Sequence, residues 1–503
     1  MEQTITLPEY ILAIDQGTTG TTASLVDQRG LILFKEYQEI SQHYPQPGWI
    51  EQDPLELIDS VNTTVQNLVN NSRINPSQIK GVGVTNQRET TLVWDKTSGV
   101  PIHNAIVWQC RRTTYICEKM KREGLGLQIQ RITGLPIDPY FSGTKIRWIL
   151  DNVPNGQEKA ENGDLAFGTV DSWLVWYLTG GNKHITDPTN AARTMLYDIR
   201  TLSWSQDMMS VLNIPASMLP EVVNSSGIVG FTTQDIFNGH SIPIAGIIGD
   251  QQSSMFGQAC FDQGMSKCTY GTGSFLLANT GGDIAYSEKG LISTIAWNID
   301  NRTTYALEGA VFSTGSTVQW LKDQMEIIPT IPEVEALAET VSSNGGVYLV
   351  PAFTGLGAPY WDMRARGTIF GLTRGSTKAH IARAVLESTA YQCHDVFKNM
   401  AMEMASPLTS IRVDGGGSQN SLLMQFQSDI LGIPIEETEI SESTSLGAAF
   451  MVGLAIGFWD SLDALRNLWH RKSLYEPSMD LQYRHEQIKY WERAVDRSRS
   501  WLD

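Results

Sequence analysis

"ILAIDQGTTG", residues 11–20, puts four apolar residues ahead of Asp15 and a Gly-Thr-Thr turn behind it. The apolar run predicts a buried strand that ends on a carboxylate. A Gly-Thr turn after a strand presents backbone N–H groups and hydroxyls, which are the donors that a phosphate oxygen requires. The stretch therefore predicts that Thr18 and Thr19 bind phosphate, with a plain hairpin turn capped by Asp15 as the alternative.

The carboxylate of Asp15 needs a separate explanation. A carboxylate beside bound polyphosphate repels it at short range unless a divalent cation lies between the two. One or two carboxylates together with phosphate oxygens are the usual ligands of Mg²⁺ in proteins. We therefore expect Asp15 to anchor Mg²⁺ while the turn holds phosphate.

The second half of the chain repeats this plan. Residues 265–281, "MSKCTYGTGSFLLANTG", predict a strand, a Gly-Thr turn and another strand. "IPIAGIIGD" ends one more apolar strand on Asp250, and "LTSIRVDGGG" ends another on Asp414 with three glycines behind it. The duplication predicts two α/β lobes, residues 1–252 and 253–503, with a cleft between them.

Local sequence patterns predict further strands and helices in the first lobe. "TASLVDQRGLILFKEYQEI" predicts two more strands around a polar turn. A helix follows, with Asp53 as its N-cap, Pro54 at its first position and Glu56 completing a capping box. Residues 79–95 predict a strand pair, and residues 167–180 predict a short helix that ends at a glycine.

Composition excludes several classes of function. The 503 residues carry 54 acidic and 37 basic side chains, a formal charge of −17, so a nucleic-acid backbone meets net repulsion. No apolar run is long enough for a membrane helix, and the first residues do not resemble a signal peptide. The five cysteines form no CxxC pair, which favours a reducing cytoplasm over a disulfide framework.

The motifs of several large enzyme classes are missing from the sequence. There is no GxxxxGK[ST], no complete GxGxxG after a strand, and neither HRD nor DFG, which disfavours P-loop enzymes, Rossmann oxidoreductases and protein kinases. The eight histidines show no HExxH or paired spacing, so a zinc site has little support.

"VTNQRETTLVWD" contains adjacent Arg88 and Glu89 in an otherwise uncharged, apolar-flanked segment. Such charges either pair structurally or form a polar recognition edge. A guanidinium beside a carboxylate offers donors and acceptors together, which suits hydroxyl groups. Trp108 in "IVWQCRR" and Tyr140 in "DPYFSGTK" add aromatic faces for a carbon skeleton, so the pattern favours a polyol. Trp94 also stands beside a polar motif, with packing between the lobes as the alternative for both tryptophans.

At these motifs the sequence resembles the glycerol kinases of the FGGY carbohydrate kinase family, which belong to the actin–hexokinase–heat-shock chaperone fold group. The resemblance runs from "AIDQGTT" through "GVTNQRETT", "AIVWQCRRT", "IDPYFSGTKIRWIL", "TDPTNAARTMLY", "GDQQSSMFGQ", "TYGTGSF", "ALEGAVF" and "VPAFTGLGAPYWD" to "MQFQSDILG". "NQRETT" with "WQCRR" separates glycerol kinases from the xylulose, gluconate and ribulose kinases of the family. The resemblance implies two RNase H-like lobes with an interlobe active-site cleft, and ATP-dependent phosphorylation of glycerol to sn-glycerol 3-phosphate.

The resemblance also assigns residues. It implies that the N-terminal lobe binds glycerol and phosphate, that the C-terminal lobe binds the adenine nucleotide, and that Asp250 is the general base. Glycerol would be bound by Arg88, Glu89, Trp108, Tyr140, Asp250, Gln251 and Phe275. ATP would be bound by Thr18, Thr19, Gly20, Thr272, Gly315, Gln319, Gly416 and Asn420, with Mg²⁺ on Asp15 and Asp250.

Two positions depart from the family pattern. The first turn continues as "DQGTTGTT", which puts Thr22 where a phosphate-binding arginine is expected. Ser241 stands where members inhibited by fructose 1,6-bisphosphate have an arginine, so that inhibition is doubtful here.

The expected partners are glycerol and MgATP, with neither nucleic acid nor membrane insertion, in a cytoplasmic homo-oligomer of two or four chains. The rival classes are an ATP-gated binding or assembly protein of the same fold, or a pseudokinase, and an RNase H-like nuclease. An intact Asp250 and polyol edge argue against the first class, and the acidic balance argues against the second.

Overall fold

A computed structural model describes residues 7–440 and 442–502. Its strands are β1 Tyr10–Gln16, β2 Gly20–Val26, β3 Ile32–Glu39, β4 Glu51–Gln52, β5 Ile79–Asn86, β6 Leu92–Asp95, β7 Ala105–Ile106, β8 Leu165–Gly168, β9 Ile185–Thr186, β10 Tyr197–Asp198, β11 Ser203–Trp204, β12 Glu221–Val222, β13 Ser226–Phe231, β14 Pro243–Gly249, β15 Met265–Tyr270, β16 Ser274–Gly281, β17 Ile292–Ile299, β18 Arg302–Val311, β19 Tyr348–Val350, β20 Thr368–Phe370, β21 Ser410–Asp414, β22 Ile435–Thr438 and β23 Arg471–Tyr475.

The α-helices lie between and after these strands, several of them in succession. They are α1 Pro54–Ser72, α2 Thr114–Arg122, α3 Gly126–Thr133, α4 Ser142–Asn152, α5 Gly156–Glu161, α6 Val170–Leu178, α7 Pro188–Ala191, α8 Gln206–Leu212, α9 Asp250–Gly257, α10 Gly315–Asp323, α11 Glu333–Glu339, α12 Lys378–Glu403, α13 Ser421–Leu431, α14 Ser443–Ile456, α15 Leu462–Arg466 and α16 Leu481–Ser498. No helix in this described part of the chain is long and apolar enough to span a bilayer.

Thirteen strands form one central sheet that contains the same five-strand unit twice. The first unit has the order β3-β2-β1-β5-β14 and the second has β18-β16-β15-β21-β22. In each unit the first three strands are antiparallel and the last two run parallel to the third. The duplication expected from the two Gly-Thr turns is therefore confirmed, and the two units are the cores of the N-terminal and C-terminal lobes.

The two halves of the sheet meet at one narrow joint. Strand β13 runs beside β14 in the N-terminal lobe and pairs with β17 of the C-terminal lobe only where Ser226 lies opposite Ile299. The predicted boundary between residues 252 and 253 falls inside α9. It stays a prediction.

The strand ends bring the predicted site residues to shared edges of the sheet. In the N-terminal lobe, Asp15 of β1 lies opposite Thr85 of β5, and Asp250 follows directly after β14. In the C-terminal lobe, Thr269 of β15 lies opposite Asp414 of β21. Because carboxyl ends of parallel strands meet at one edge, each lobe collects its polar turns on one side.

Two local predictions were wrong. Asp53 does cap α1 by accepting a hydrogen bond from the backbone of Leu55 at 2.9 Å, but Glu56 accepts from the backbone of Ser41 at 2.8 Å instead of completing a capping box. The two strands predicted within residues 79–95 both form, yet β5 stays in the central sheet and β6 pairs with β8. The polar segment between them leaves the sheet, because its side chains enter the cleft described below.

Glycines allow α9 and α14 to pack closely where the lobes meet. Helix α14 lies against α9 and against strands β1, β5 and β14. A Cβ atom at Gly447 would collide with the backbone oxygen of Ser253, and one at Gly257 would collide with that of Ser443. This backbone-to-backbone contact therefore requires glycine on both helices.

Gly447→Ala should destabilise the protein, because the added methyl has to push α14 away from α9. We expect the free energy of unfolding, measured by urea denaturation, to fall by about 1–3 kcal/mol. Gly126→Ala is the matched control, since nothing lies within 4 Å of a Cβ built on that helical glycine. Equal effects of the two substitutions would contradict the close packing.

Candidate active site

Four buried charges form the base of the cleft between the lobes. Arg88 donates from Nη1 and Nη2 to the two carboxylate oxygens of Glu308, at 2.6 and 2.9 Å. Arg193 donates from Nε to Glu89 at 2.5 Å and from Nη1 and Nη2 to Glu308 at 3.3 and 3.1 Å. None of the four residues is more than 3% exposed. Two guanidinium groups and two carboxylates balance, so each buried charge has its counter-ion.

These contacts show that Arg88 and Glu89 pair structurally, and a role in recognising hydroxyls stays a prediction for both. The two adjacent residues are joined through Arg193 and Glu308 rather than to each other. Although burial opposes ionisation, the guanidinium groups of Arg193 and Arg88 lower the pKa of Glu308 to about 2. Glu308 is therefore a fixed negative charge, and it comes from β18 of the other lobe.

The backbone at Glu89 is strained. Its φ is +61°, a left-handed conformation that a non-glycine residue adopts at some cost in free energy. Its carbonyl oxygen accepts hydrogen bonds from Thr91 Oγ1 at 2.9 Å and Ser142 Oγ at 3.0 Å. These bonds and the ion pair with Arg193 hold the strained residue in place.

Asp250 lies beside this cluster and is open to the cleft. Its carboxylate is 3.2 Å from Arg88 Nε, and its side chain is 26% exposed. Burial raises the pKa of Asp250, while the positive charges of Arg88 and Lys267 oppose that shift. The next residue, Gln251, accepts a hydrogen bond from Lys267 Nζ at 2.5 Å, which fixes its amide.

An aromatic wall faces the same cleft. The ring of Trp108 packs edge-on against Tyr140 at 5.5 Å and against Phe275 at 6.2 Å between centroids. Phe275 belongs to β16, so both lobes contribute to the wall. Trp94, in contrast, is fully buried against Trp173 in the core of the N-terminal lobe. It is therefore a core residue of one lobe, although its neighbours in the sequence are polar.

The first Gly-Thr turn is tightly held. Gly17 N donates to the Gly20 carbonyl at 2.9 Å, and the corresponding bond in the second turn joins Gly271 N to Gly273 at 2.9 Å. The Thr18 carbonyl accepts from two glutamine side chains, and its hydroxyl oxygen accepts from Trp108 Nε1 at 2.9 Å. A Cβ at Gly20 would meet the ring of the exposed Tyr37, so a larger residue there would have to displace that ring.

Asp15 fits a cation site. Burial, with the carboxylates of Asp250 and Glu442 nearby, raises the pKa of Asp15 to about 8. A positive ion between Asp15 and Asp250 would relieve this repulsion, and Mg²⁺ bound also by phosphate needs no more than two carboxylates. Within residues 7–440 and 442–502 there is no cluster of three or more acidic, histidine or cysteine side chains that could hold a metal unaided.

The C-terminal lobe contains a cavity of about 580 Å³. Its polar lining includes the second Gly-Thr turn and the start of α10, and its apolar lining includes Ile331, Val334, Leu386 and Leu423. All five residues that the resemblance assigned to nucleotide in this lobe line it: Thr272, Gly315, Gln319, Gly416 and Asn420.

Two of these residues have a clear local role. A Cβ at Gly315 would collide with the Gly271 carbonyl, so glycine lets α10 begin directly against the turn. Asn420 caps α13 by accepting from the backbone of Leu423 at 2.8 Å, which leaves its amide N–H₂ group for the cavity.

Sequence reasoning missed three buried charged residues at the site. Arg193 and Glu308 complete the ion cluster, and Lys267 holds Gln251. Each is a single charge inside an apolar or neutral segment, which is the signal that could have found it.

Ser241, one of the two positions that depart from the family pattern, donates to the Thr232 carbonyl at 2.8 Å and closes the loop between β13 and β14.

Family models and curated relatives of this chain point to the same family. The model of the FGGY family of carbohydrate kinases, N-terminal domain, matches residues 10–257, and the C-terminal domain of the same family matches residues 266–456. "Glycerol kinase" of Carboxydothermus hydrogenoformans is 52% identical over 98% of this chain and 99% of its own. "Glycerol kinase 2" of Thermotoga maritima is 52% identical over the same shares of the two chains.

Solved structures agree with this assignment. The chain superposes on Plasmodium falciparum glycerol kinase with ADP at a TM-score of 0.92, with 37% identity and 98% of both chains covered. Gluconate kinase from Lactobacillus acidophilus gives a TM-score of 0.87 at 22% identity, with 98% of this chain and 97% of that one covered, and shows the shared fold.

Glu308→Gln should unbalance the ion cluster, because it leaves Arg193 with Glu89 alone and Arg88 with only the partly exposed Asp250. We expect the free energy of unfolding at neutral pH to fall by about 3–5 kcal/mol. Asp262→Asn, which breaks an exposed pair with Arg466, should cost less than about 1 kcal/mol. Similar denaturation midpoints for Glu308→Gln and wild type would show that the cluster is not needed for stability.

Proposed function

The chain belongs to the FGGY family of carbohydrate kinases and phosphorylates glycerol with ATP, and we propose that Asp250 is the general base of this reaction. The observation that carries the proposal is the position of Asp250, open to the cleft and 3.2 Å from Arg88 at the edge of the ion cluster. A carboxylate there can take the proton from a hydroxyl that Arg88 and Glu89 hold in place.

We propose that glycerol lies between the ion cluster and the aromatic wall. Arg88 offers donors and Glu89 offers acceptors for two hydroxyls, while Trp108, Tyr140 and Phe275 cover the carbon skeleton. Gln251, fixed by Lys267, would add a contact to the hydroxyl that reacts. A polyol needs this combination of buried donors, buried acceptors and apolar surface.

We propose that ATP spans the cleft. Its adenosine would occupy the cavity beside Gly416 and Asn420, and its phosphates would extend past Thr272, Gly315 and Gln319 towards Thr18, Thr19 and Gly20. Mg²⁺ would be held by Asp15 and Asp250 with phosphate oxygens, and it would supply positive charge where negative charge develops. Phosphoryl transfer depends mainly on such positioning and electrostatic stabilisation.

We also infer the setting of the reaction. The lobes would divide at residues 252 and 253, and their closure would bring the reacting groups into line. The five cysteines are free thiols, which suits a reducing cytoplasm. Assembly into a dimer or tetramer stays a proposal, and size-exclusion chromatography with light scattering would test it.

Asp250→Asn should abolish most turnover while glycerol still binds, because the amide keeps the shape of the side chain and loses the basic oxygen. We expect kcat to fall by about 10²- to 10⁴-fold in a coupled assay of ADP release. Asp207→Asn, at an exposed position of α8, is the control for the loss of one carboxylate charge. Turnover of the Asp250 variant within tenfold of wild type would remove Asp250 from the role of base.

Thr22→Arg should improve the use of MgATP. Thr22 lies directly opposite Asp15 in the β1–β2 ladder, so an arginine there would share its face of the sheet and could contact phosphate. We expect kcat/KM for MgATP to rise about tenfold, as for one charge-assisted contact, and the KM for glycerol to stay nearly constant.

Gln38→Arg is the matched control for Thr22→Arg. Gln38 lies opposite Thr21 and therefore on the other face of the sheet. If the two variants behave alike, or if the constants for glycerol and MgATP change together, position 22 does not face the phosphates.

A further inference from the structure

Trp108 contacts both halves of the reaction site. Its ring packs on Tyr140 and Phe275 in the wall proposed for the glycerol carbons. Its indole Nε1 points the other way and lies 2.9 Å from Thr18 Oγ1, in the turn proposed for phosphate. One side chain therefore joins the wall proposed for the alcohol to the turn proposed for phosphate.

The hydrogen bond fixes the direction of the Thr18 hydroxyl. An indole N–H can only donate, so Thr18 Oγ1 is the acceptor in this contact. The hydroxyl has one hydrogen of its own, which must then point away from Trp108. Thr18 also accepts through its carbonyl from Gln52 Nε2 at 2.7 Å and Gln42 Nε2 at 3.2 Å, which fixes the backbone beneath the side chain. The turn is thus held with the Thr18 hydroxyl hydrogen free to donate on the side away from Trp108.

We propose that Trp108 is a positioning residue for phosphate as well as a wall for glycerol: its N–H holds Thr18 so that the hydroxyl donates to a phosphate oxygen of ATP. The inference rests on the proposed function, because it names the phosphate as the acceptor of that hydrogen bond. It assigns two parts of one tryptophan side chain to two substrates. The ring face acts on the alcohol, and the N–H acts on the nucleotide.

Trp108→Phe separates these two actions, because phenylalanine keeps an aromatic face and lacks the N–H. Thr18→Val removes the hydroxyl and keeps the shape of the side chain. Trp176→Phe is the control: Trp176 is half-buried in the same lobe, packs on Trp94 at 5.8 Å, and lies outside the cleft. The two single variants, their double variant and the control are compared with wild type.

Two measurements are made on each variant. Steady-state assays of ADP release give kcat and the KM values for glycerol and MgATP. Isothermal titration with the Mg²⁺ complex of the β,γ-methylene analogue of ATP gives a dissociation constant that does not depend on turnover.

The proposal predicts a split between the two substrates. Trp108→Phe should lower kcat/KM for MgATP and weaken analogue binding by up to about tenfold, the size of one hydrogen bond, and should change the KM for glycerol much less. The double variant should be no worse than Thr18→Val alone, because both substitutions remove the same contact to phosphate.

Two results would overturn the inference. One is a rise in the KM for glycerol with unchanged nucleotide constants in Trp108→Phe, which would leave Trp108 as a wall only. The other is simple additivity of the two substitutions in the double variant. Failure of the proposed phosphate site would look different, since Thr18→Val would then leave the constants for MgATP and the analogue unchanged, whatever Trp108→Phe did.

Discussion

The requirement that buried charges be paired shapes this cleft. Glu308 belongs to one lobe, and Arg88, Glu89 and Arg193 belong to the other, yet their charges balance only when the four residues lie together. Removing any one would upset the balance of charge among buried side chains. The cluster therefore links the two lobes and orients the two side chains proposed to recognise hydroxyls. Asp250 and the aromatic wall are arranged around this fixed base.

The sheet explains why the remaining groups come to the same place. Each five-strand unit directs the carboxyl ends of its parallel strands to one edge. A glycine-rich turn follows β1 in the first unit and β15 in the second. Two copies of that unit, facing each other, supply one turn from each lobe. The N-terminal copy has a carboxylate on β1, at Asp15. The C-terminal copy has an adjoining cavity large enough for a nucleoside. Duplication thus provided two similar ends whose side chains then diverged.

Much of this architecture could be predicted from the sequence, because it is encoded locally. The strands around the two turns, the helix capped by Asp53 and the strand ends at Asp250 and Asp414 follow from patterns that span fewer than about 20 residues. The ion cluster does not, since Arg88 and Glu308 are 220 positions apart and only the fold makes them partners. Trp94 and Trp108 show the same limit: both stand beside polar motifs, and burial alone distinguishes the core residue from the one in the cleft. The wrong capping box and strand pair also reflect tertiary partners, Ser41 for Glu56 and β8 for β6.

The narrow joint between the half-sheets has a thermodynamic consequence. A sheet continuous through one residue pair can twist there, so the proposed closure of the lobes would change mainly the contacts made across the cleft. Glu308 makes such a contact with the same arginine that is proposed to hold glycerol. Linkage then requires reciprocity: if glycerol favours closure by some factor, closure raises the affinity for glycerol by that same factor. Under that condition the alcohol and the second lobe would be cooperative ligands of Arg88.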